Sequence, residues 1–261
     1  MSAAPSLPFV FVAHGAPSLA LEATKGAELR AWAASMPEPR SIVAISPHWV
    51  TRDPTLGTTR SRPLLYDFTG FPEELSKVEY PYKPALHAAA RVEETLRPRW
   101  SVSRSDDRKI DHGVWVPLVH MYPRADFPLV QLSLPRREPE ELFELGRQLA
   151  PLADEGILVM CTGVLVHNLR RYERNSQAPP LAWAIEFDRW CQDVIARCDF
   201  DALIQFRVRA PKLAMAHPTE EHFVPILIAA GAASTRASVK VTFPITGFEH
   251  ASLSRRCVQF G

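Results

Sequence analysis

The chain has little cysteine, and what it has is unpatterned. Cys161, Cys191, Cys198 and Cys257 show no C-x-x-C spacing and no framework of a small cross-linked scaffold. That excludes a disulfide-stapled fold, and the thiols read as reduced and mostly buried. Charge of one sign is equally scarce. With 30 Lys and Arg against 29 Asp and Glu, the formal net charge is +1, and no block of like charge stands out. A nucleic-acid or anionic-membrane partner has no electrostatic footprint here, and a small organic substrate fits better than a polyanion. Long hydrophobic runs are missing too. Met1 to Pro8 has no basic start and no apolar stretch, and the first apolar run, Phe9 to Ala13, is too short for a signal peptide or a span. A soluble, cytoplasmic protein is expected. No repeat, low-complexity segment or convincing linker interrupts the chain, so a single domain over 1–261 is expected.

What is present is a succession of short apolar runs separated by helical stretches. Pro8–Ala13, Ser41–Ser46, Leu129–Leu134 and Ile157–Thr162 read as buried strands, and Ser238–Phe243 as the strand that closes the sheet. Helices are expected over Leu19–Ser35, Pro84–Leu96, Glu138–Leu152, Leu181–Cys198 and Thr219–Ala230. In the last, Thr219 would be the N-cap, with Glu220 and Glu221 in the first turn. Arg60–Pro81, rich in Pro, Tyr and Phe, reads as an ordered surface loop, and Asp111–Met121 as a segment of mixed polarity. Continuous apolar strands alternating with helices predict an α/β fold, a mostly parallel or mixed central sheet flanked by helices, with the active site at the carboxyl ends of the strands.

Nine histidines are not unusual in number, but their placement is informative. His14 and His48 follow directly on expected strands, and His167 follows a third after a short turn. Side chains from several strand ends can meet at one point, and imidazole suits zinc, iron, copper or nickel. His222, in the first turn of a helix capped by Thr219, and His217, just before it, would lie on the same side, and that geometry could place either one at the metal. Taken singly, each histidine is as readily a hydrogen-bonded loop or core residue. His87 and His120 read as structural, and Phe248-Glu249-His250 as a segment able to line a pocket.

Five strings in chain order carry a resemblance. His14-Gly15-Ala16-Pro17, Ser46-Pro47-His48-Trp49, Asp111-His112-Gly113-Val114-Trp115-Val116-Pro117-Leu118, His167-Asn168-Leu169-Arg170 and His217-Pro218-Thr219-Glu220-Glu221-His222 together resemble the DOPA-dioxygenase-type branch of the LigB-like class III extradiol dioxygenases. The correspondence runs through essentially the whole chain. It implies a single α/β domain of the LigB-like fold, a mononuclear non-haem iron(II) site, and opening of a catechol ring beside the diol by O₂. His14, His48 and His222 resemble the metal ligands, His222 standing where other branches have glutamate. His167 resembles the active-site acid/base, or a fourth ligand when zinc occupies the site, and His112 a pocket histidine able to contact substrate or oxygen. The resemblance implies Fe²⁺ for activity, and an all-histidine set accepts Zn²⁺ as readily.

The expected base has a pKa near neutrality, a role assigned to His167. His217, Trp49 and Trp115, with Phe68 and Phe71, are candidates for holding the substrate ring, and Asp67 and Arg170 for a polar substituent on it. The expected partners are a small catechol and O₂, in a monomer or homodimer. Two other classes compete. A zinc hydrolase would use metal-bound water, though no H-E-x-x-H motif supports it. A Memo-like binding protein would use the same fold without catalysis.

Overall fold

The continuous apolar runs become the centre of an eight-stranded sheet. A computed structural model of the chain describes residues 6–57, 60 and 63–261. Residues 1–5 of the N-terminal stretch and 61–62 of the expected surface loop lie outside the described residues. The strands are β1 (Phe9–Ala13), β2 (Ser41–Thr51), β3 (Thr55–Gly57), β4 (Ser103–Ser105), β5 (Leu129–Pro135), β6 (Ile157–Gly163), β7 (Val241–Thr242), β8 (Phe248–Glu249), β9 (Leu253–Ser254) and β10 (Val258–Phe260). The sheet order is β4-β3-β5-β2-β6-β1-β10-β7, and β8 and β9 form a separate hairpin. β5, β2, β6 and β1 are mutually parallel, and their residues are buried on both faces over most of their lengths. That double burial is why they carry Val, Ile, Leu and Phe without alternation.

The helices are α1 (Ala23–Ala34), α2 (Leu86–Leu96), α3 (His112–Met121), α4 (Pro139–Leu149), α5 (Ala182–Ala196), the short α6 (Phe200–Ile204), α7 (Phe206–Arg209) and α8 (Leu213–Ala216), and α9 (Pro225–Ala233). α4 packs on α9 and on α2, and these two lie against the parallel strands, while α1 packs on α3, which lies against β2 and β6. Among the described residues no helix is long and apolar enough to cross a membrane. The four cysteines are free thiols, with Cys161, Cys191 and Cys257 buried.

Three expectations need correction. The expected helix Thr219–Ala230 begins six residues later, at Pro225. Proline has no N–H to donate and its fixed φ suits a first helical residue, so it starts the helix. Residues 221–224 are a turn, and the Thr219 hydroxyl donates to Glu221 Oε1 at 2.8 Å. Asp111–Met121, read as a mixed segment, supplies helix α3. The sheet is not closed by Ser238–Phe243 alone. Val241–Thr242 is its edge, and the C-terminal Val258–Phe260 is inserted between that edge and β1, antiparallel to both.

Candidate active site

β2, β6 and β1 lie side by side and parallel, so their carboxyl ends open on one crevice. His14 follows β1 directly, with its amide donating to Gly163 O at the end of β6. His48 sits within β2 where the pairing with β5 shifts register between Ser46 and Val50. Such an irregularity re-aims a side chain. His167 follows β6, and its amide donates to Ala216 O. His222 lies in the turn before α9, tied to the same loop by a 3.0 Å bond from Val164 N to His222 O. That approach needs a residue without Cβ: a Cβ on Gly163 would stand 2.3 Å from His222 O.

The rings of His14, His48 and His222 are 5.0 to 5.4 Å apart, centroid to centroid. Their ligating nitrogens lie within 4.8 Å of one another. The Nε2 atoms of these residues are buried and have no hydrogen-bond partner among the described residues. On the far side, His14 Nδ1 is 2.9 Å from Gly15 O and His222 Nδ1 is 3.3 Å from Glu221 Oε1. A ring donating through Nδ1 presents a lone pair at Nε2, which is how metal-binding imidazoles are oriented. Buried polar atoms left without partners are costly, and a divalent cation between these rings would satisfy all of them. The residues therefore fit a metal ion.

Burial lowers the pKa of all of these rings. His14 and His222 fall well below the usual range, burial acting first and neighbouring imidazoles adding to it. His48 is brought to about 4 by burial and then by His112. Neutral rings with free lone pairs are the form that ligates.

His48 is held from below. Ser46 Oγ accepts from His48 N and donates to the buried Asp111 Oδ1 at 2.7 Å. Asp111 Oδ2 accepts from Gln131 Nε2 and Arg108 Nη2, and Arg108 also donates to His48 O. Asp111 thus serves this network instead of capping α3 with its side chain. Gly113 closes the packing, since a Cβ there would meet Ser46 Oγ at 2.4 Å and His48 Cδ2 at 2.8 Å.

His112 is the first residue of α3, its ring 4.0 Å from that of His48. Asp67 Oδ1 accepts from both His112 N and His112 Nδ1. Burial works to raise the Asp67 carboxyl, but the bonds and charge of His112 outweigh it and leave it lowered. His48, Asp67 and His112 also bring ligand atoms within 4.8 Å. In that set the carboxylate and Nδ1 are already spent on each other. His167 stacks on His222 at 3.7 Å, and burial, followed by His217, brings it to about 3. The expected near-neutral base is not met by the free protein.

These five histidines line one cavity of about 270 Å³. Its remaining walls are largely apolar: Ala16, Pro17, Phe68, Phe71, Val164, Leu169, Tyr172 and Leu253. The cavity does not include three residues expected to hold substrate. His217 is buried between Phe187 and Phe223, and its Nε2 donates to Leu165 O. Trp49 follows His48 in a strand, where successive side chains point to opposite sides, and it lies under the Arg108 guanidinium. Trp115 is fully buried, its indole N–H donating to Leu65 O. Arg170 is exposed and is not part of the wall. Asp67 lines the wall but is committed to His112. Tyr172, which the sequence reading missed, lines it with His250 stacked behind at 4.2 Å.

The sequence pattern of the catalytic LigB subunit of aromatic ring-opening dioxygenase matches residues 12–257. The chain is 34% identical over 264 residues to the 4,5-DOPA dioxygenase extradiol of Escherichia coli strain K12, covering 98% of this chain and 95% of that protein. It is 32% identical to the protein of the same name from Beta vulgaris, covering 88% of each. The crystal structure of an uncharacterized protein from Escherichia coli K12 superimposes with a TM-score of 0.80 at 30% identity, covering 98% of this chain and all of the other. The chain therefore belongs to the LigB family of aromatic ring-opening dioxygenases, and it is an extradiol dioxygenase.

Proposed function

We propose that the enzyme opens the ring of a small catechol beside its diol, using iron(II) held by the Nε2 atoms of His14, His48 and His222. The observation that carries this reading is the convergence of those buried, unpartnered nitrogens beside two further histidines in one largely apolar cavity. Iron(II) held on one side by these residues would supply a Lewis acid for the diol and a route for electrons to O₂.

The chain's own groups do the rest. Phe68 and Phe71, 5.4 Å apart and edge to face, offer an aromatic ring favourable contacts and keep water from it. His167 accepts a proton from a catechol hydroxyl. Burial makes it a weak base in the free protein, but a diol gathering negative charge beside it raises its affinity for a proton. His112, its orientation fixed by Asp67, offers Nε2 to the substrate or to oxygen. The four free thiols suit a reducing, cytoplasmic setting. An all-nitrogen donor set accepts zinc as well as iron. Zinc does not change oxidation state, so the zinc form would be inert towards O₂.

The test is anaerobic reconstitution of metal-free protein with Fe²⁺, addition of simple catechols and then air, following O₂ uptake and the yellow ring-opened product. Full iron occupancy with no turnover of any catechol would overturn the reading.

A further inference from the structure

The donor set His14, His48 and His222 contains no carboxylate, so three neutral imidazoles would face the whole charge of a divalent ion. Compensating charge has to come from behind the rings. Glu221 stands 3.3 Å from His222 Nδ1, but its side chain is 35% exposed and water screens it. Asp67 is bonded to the ring of His112, which is outside the set. Asp111 has no exposed surface, and a charge there acts through a medium far less polar than water.

Its place aims it at His48. The point that a Cβ on Gly113 would occupy is 3.2 Å from Asp111 Oδ1 and 2.8 Å from His48 Cδ2. The carboxylate and the ring edge next to Nε2 are thus parted by the room of one missing methyl. Three donors hold the carboxylate there: Ser46 Oγ at 2.7 Å, Gln131 Nε2 at 2.6 Å and Arg108 Nη2 at 2.8 Å. Only Arg108 among them carries charge, and it is clamped. Its guanidinium lies 4.9 Å over the Trp49 ring, and a Cβ on Gly57 would strike Trp49 at 2.7 Å and Arg108 Cγ at 2.8 Å. Opposed charges therefore stand behind one ligand. Burial, then His112, keeps the His48 ring neutral, while Asp111 and Asp67 favour positive charge there and Arg108 opposes it.

We propose that Asp111 is the counter-charge of the metal site and Arg108 its moderator, the pair setting how firmly the ion is held and how readily bound iron gives up an electron. This rests on the iron site proposed above. Asp111 acts through His48 and through space, as a positioning residue. A buried anion favours the higher charge of ferric iron and so lowers the potential, and a neighbouring cation raises it. Three neutral ligands alone would hold iron(II) against oxidation, and the anion eases release of an electron towards O₂.

Asp111→Asn, Arg108→Gln and Ser46→Ala in the full chain test it by two readouts that need no turnover. One is the Zn²⁺ dissociation constant, by competition with a chromophoric chelator. The other is the midpoint potential of the iron-loaded protein at pH 8, followed by the ferric EPR signal. Asp111→Asn should weaken Zn²⁺ binding by about tenfold or more, as loss of a supporting partner does, and should raise the potential. Arg108→Gln leaves the carboxylate its bonds from Ser46 and Gln131 and should move both readouts the other way. Ser46→Ala keeps the charge and removes only the strut, so its potential should stay near that of the wild type. A purely structural network would weaken Zn²⁺ binding in all three variants, with no opposite shift in Arg108→Gln. That pattern, or an unchanged potential in Asp111→Asn, would overturn the proposal. Should Asp111→Asn not fold, the sign of the Arg108→Gln shifts decides alone. A wild type that binds neither zinc nor iron would sink the metal site itself and the proposal with it, whereas normal wild-type binding with unshifted variants would sink the proposal only.

Discussion

Asp67 Oδ1 accepts two hydrogen bonds from a single residue, His112: one from the backbone amide at 3.2 Å and one from ring Nδ1 at 2.7 Å. The first fixes the start of α3 and the second fixes the ring upon it, so one carboxylate sets both where His112 begins and which nitrogen it turns to the cavity. Asp67→Asn keeps the shape but loses the charge and one acceptor. We expect kcat to fall about 10- to 100-fold, the range for a partner that orients an active-site imidazole, with metal content unchanged. Metal analysis beside steady-state kinetics checks this. Loss of the metal itself would mean that the ion sits among His48, Asp67 and His112.

The histidines should separate into two groups by metal content. His14→Ala, His48→Ala and His222→Ala each remove one of three converging donors and should leave the protein with little bound iron or zinc after dialysis. His167→Ala and His112→Ala should retain the metal and lose turnover by about 100-fold or more, the scale of a missing acid/base group. If His167→Ala is found free of metal, His167 is a ligand.

Gly163→Ala tests the seam between the β6 loop and the His222 turn. The added methyl would lie 2.3 Å from His222 O, so the two segments must part. Overpacking of this kind costs about 1–3 kcal/mol. The variant should show a lowered Tm and weaker metal binding together, since His222 moves with its carbonyl. A lowered Tm with wild-type metal affinity would show that the turn shifts without its ring.

Acid should destabilise the metal-free protein through His217. Burial brings this ring to about 4, against 6.5 for an ordinary histidine. The unfolded chain therefore binds a proton that the folded one refuses, and the stability His217 contributes is full above pH 6.5 and lost as pH falls towards 4. The loss should reach about 2–3 kcal/mol at the lower end. Chelator-treated wild type and His217→Phe, unfolded thermally across this window, should differ in slope, the variant being flatter. Parallel slopes would remove His217 from the account.

Much of this was legible because the governing features are local. Pro8–Ala13 and Ile157–Thr162 read as buried strands from composition alone, and His14 and His48 stand beside or within such strands. The pairing of His112 with Asp67 was not legible, because Asp67 reaches it from 45 residues away and nothing in either neighbourhood announces the pair. Trp49 and Trp115 looked suited to a substrate ring by residue type. Strand parity turns Trp49 aside, and the indole N–H of Trp115 draws that ring to Leu65 O. Thr219 carried a cap signal, but Pro225 set the helix start, a competition that residue preferences alone rank poorly.

The order of the strands has a consequence for how the protein is made. β1 precedes the other strands in this sequence, yet its sheet neighbours are β6 and the late strand β10, while His222 comes from the last fifth of the sequence. A nascent or truncated polypeptide lacking that last fifth can offer His14 and His48 but not the third donor, and two imidazoles hold a cation far less firmly than three. By mass action an ion at this site favours only the completed fold. Metal capture would then act as a late seal on the fold: a chain interrupted before residue 222 would lack the third donor.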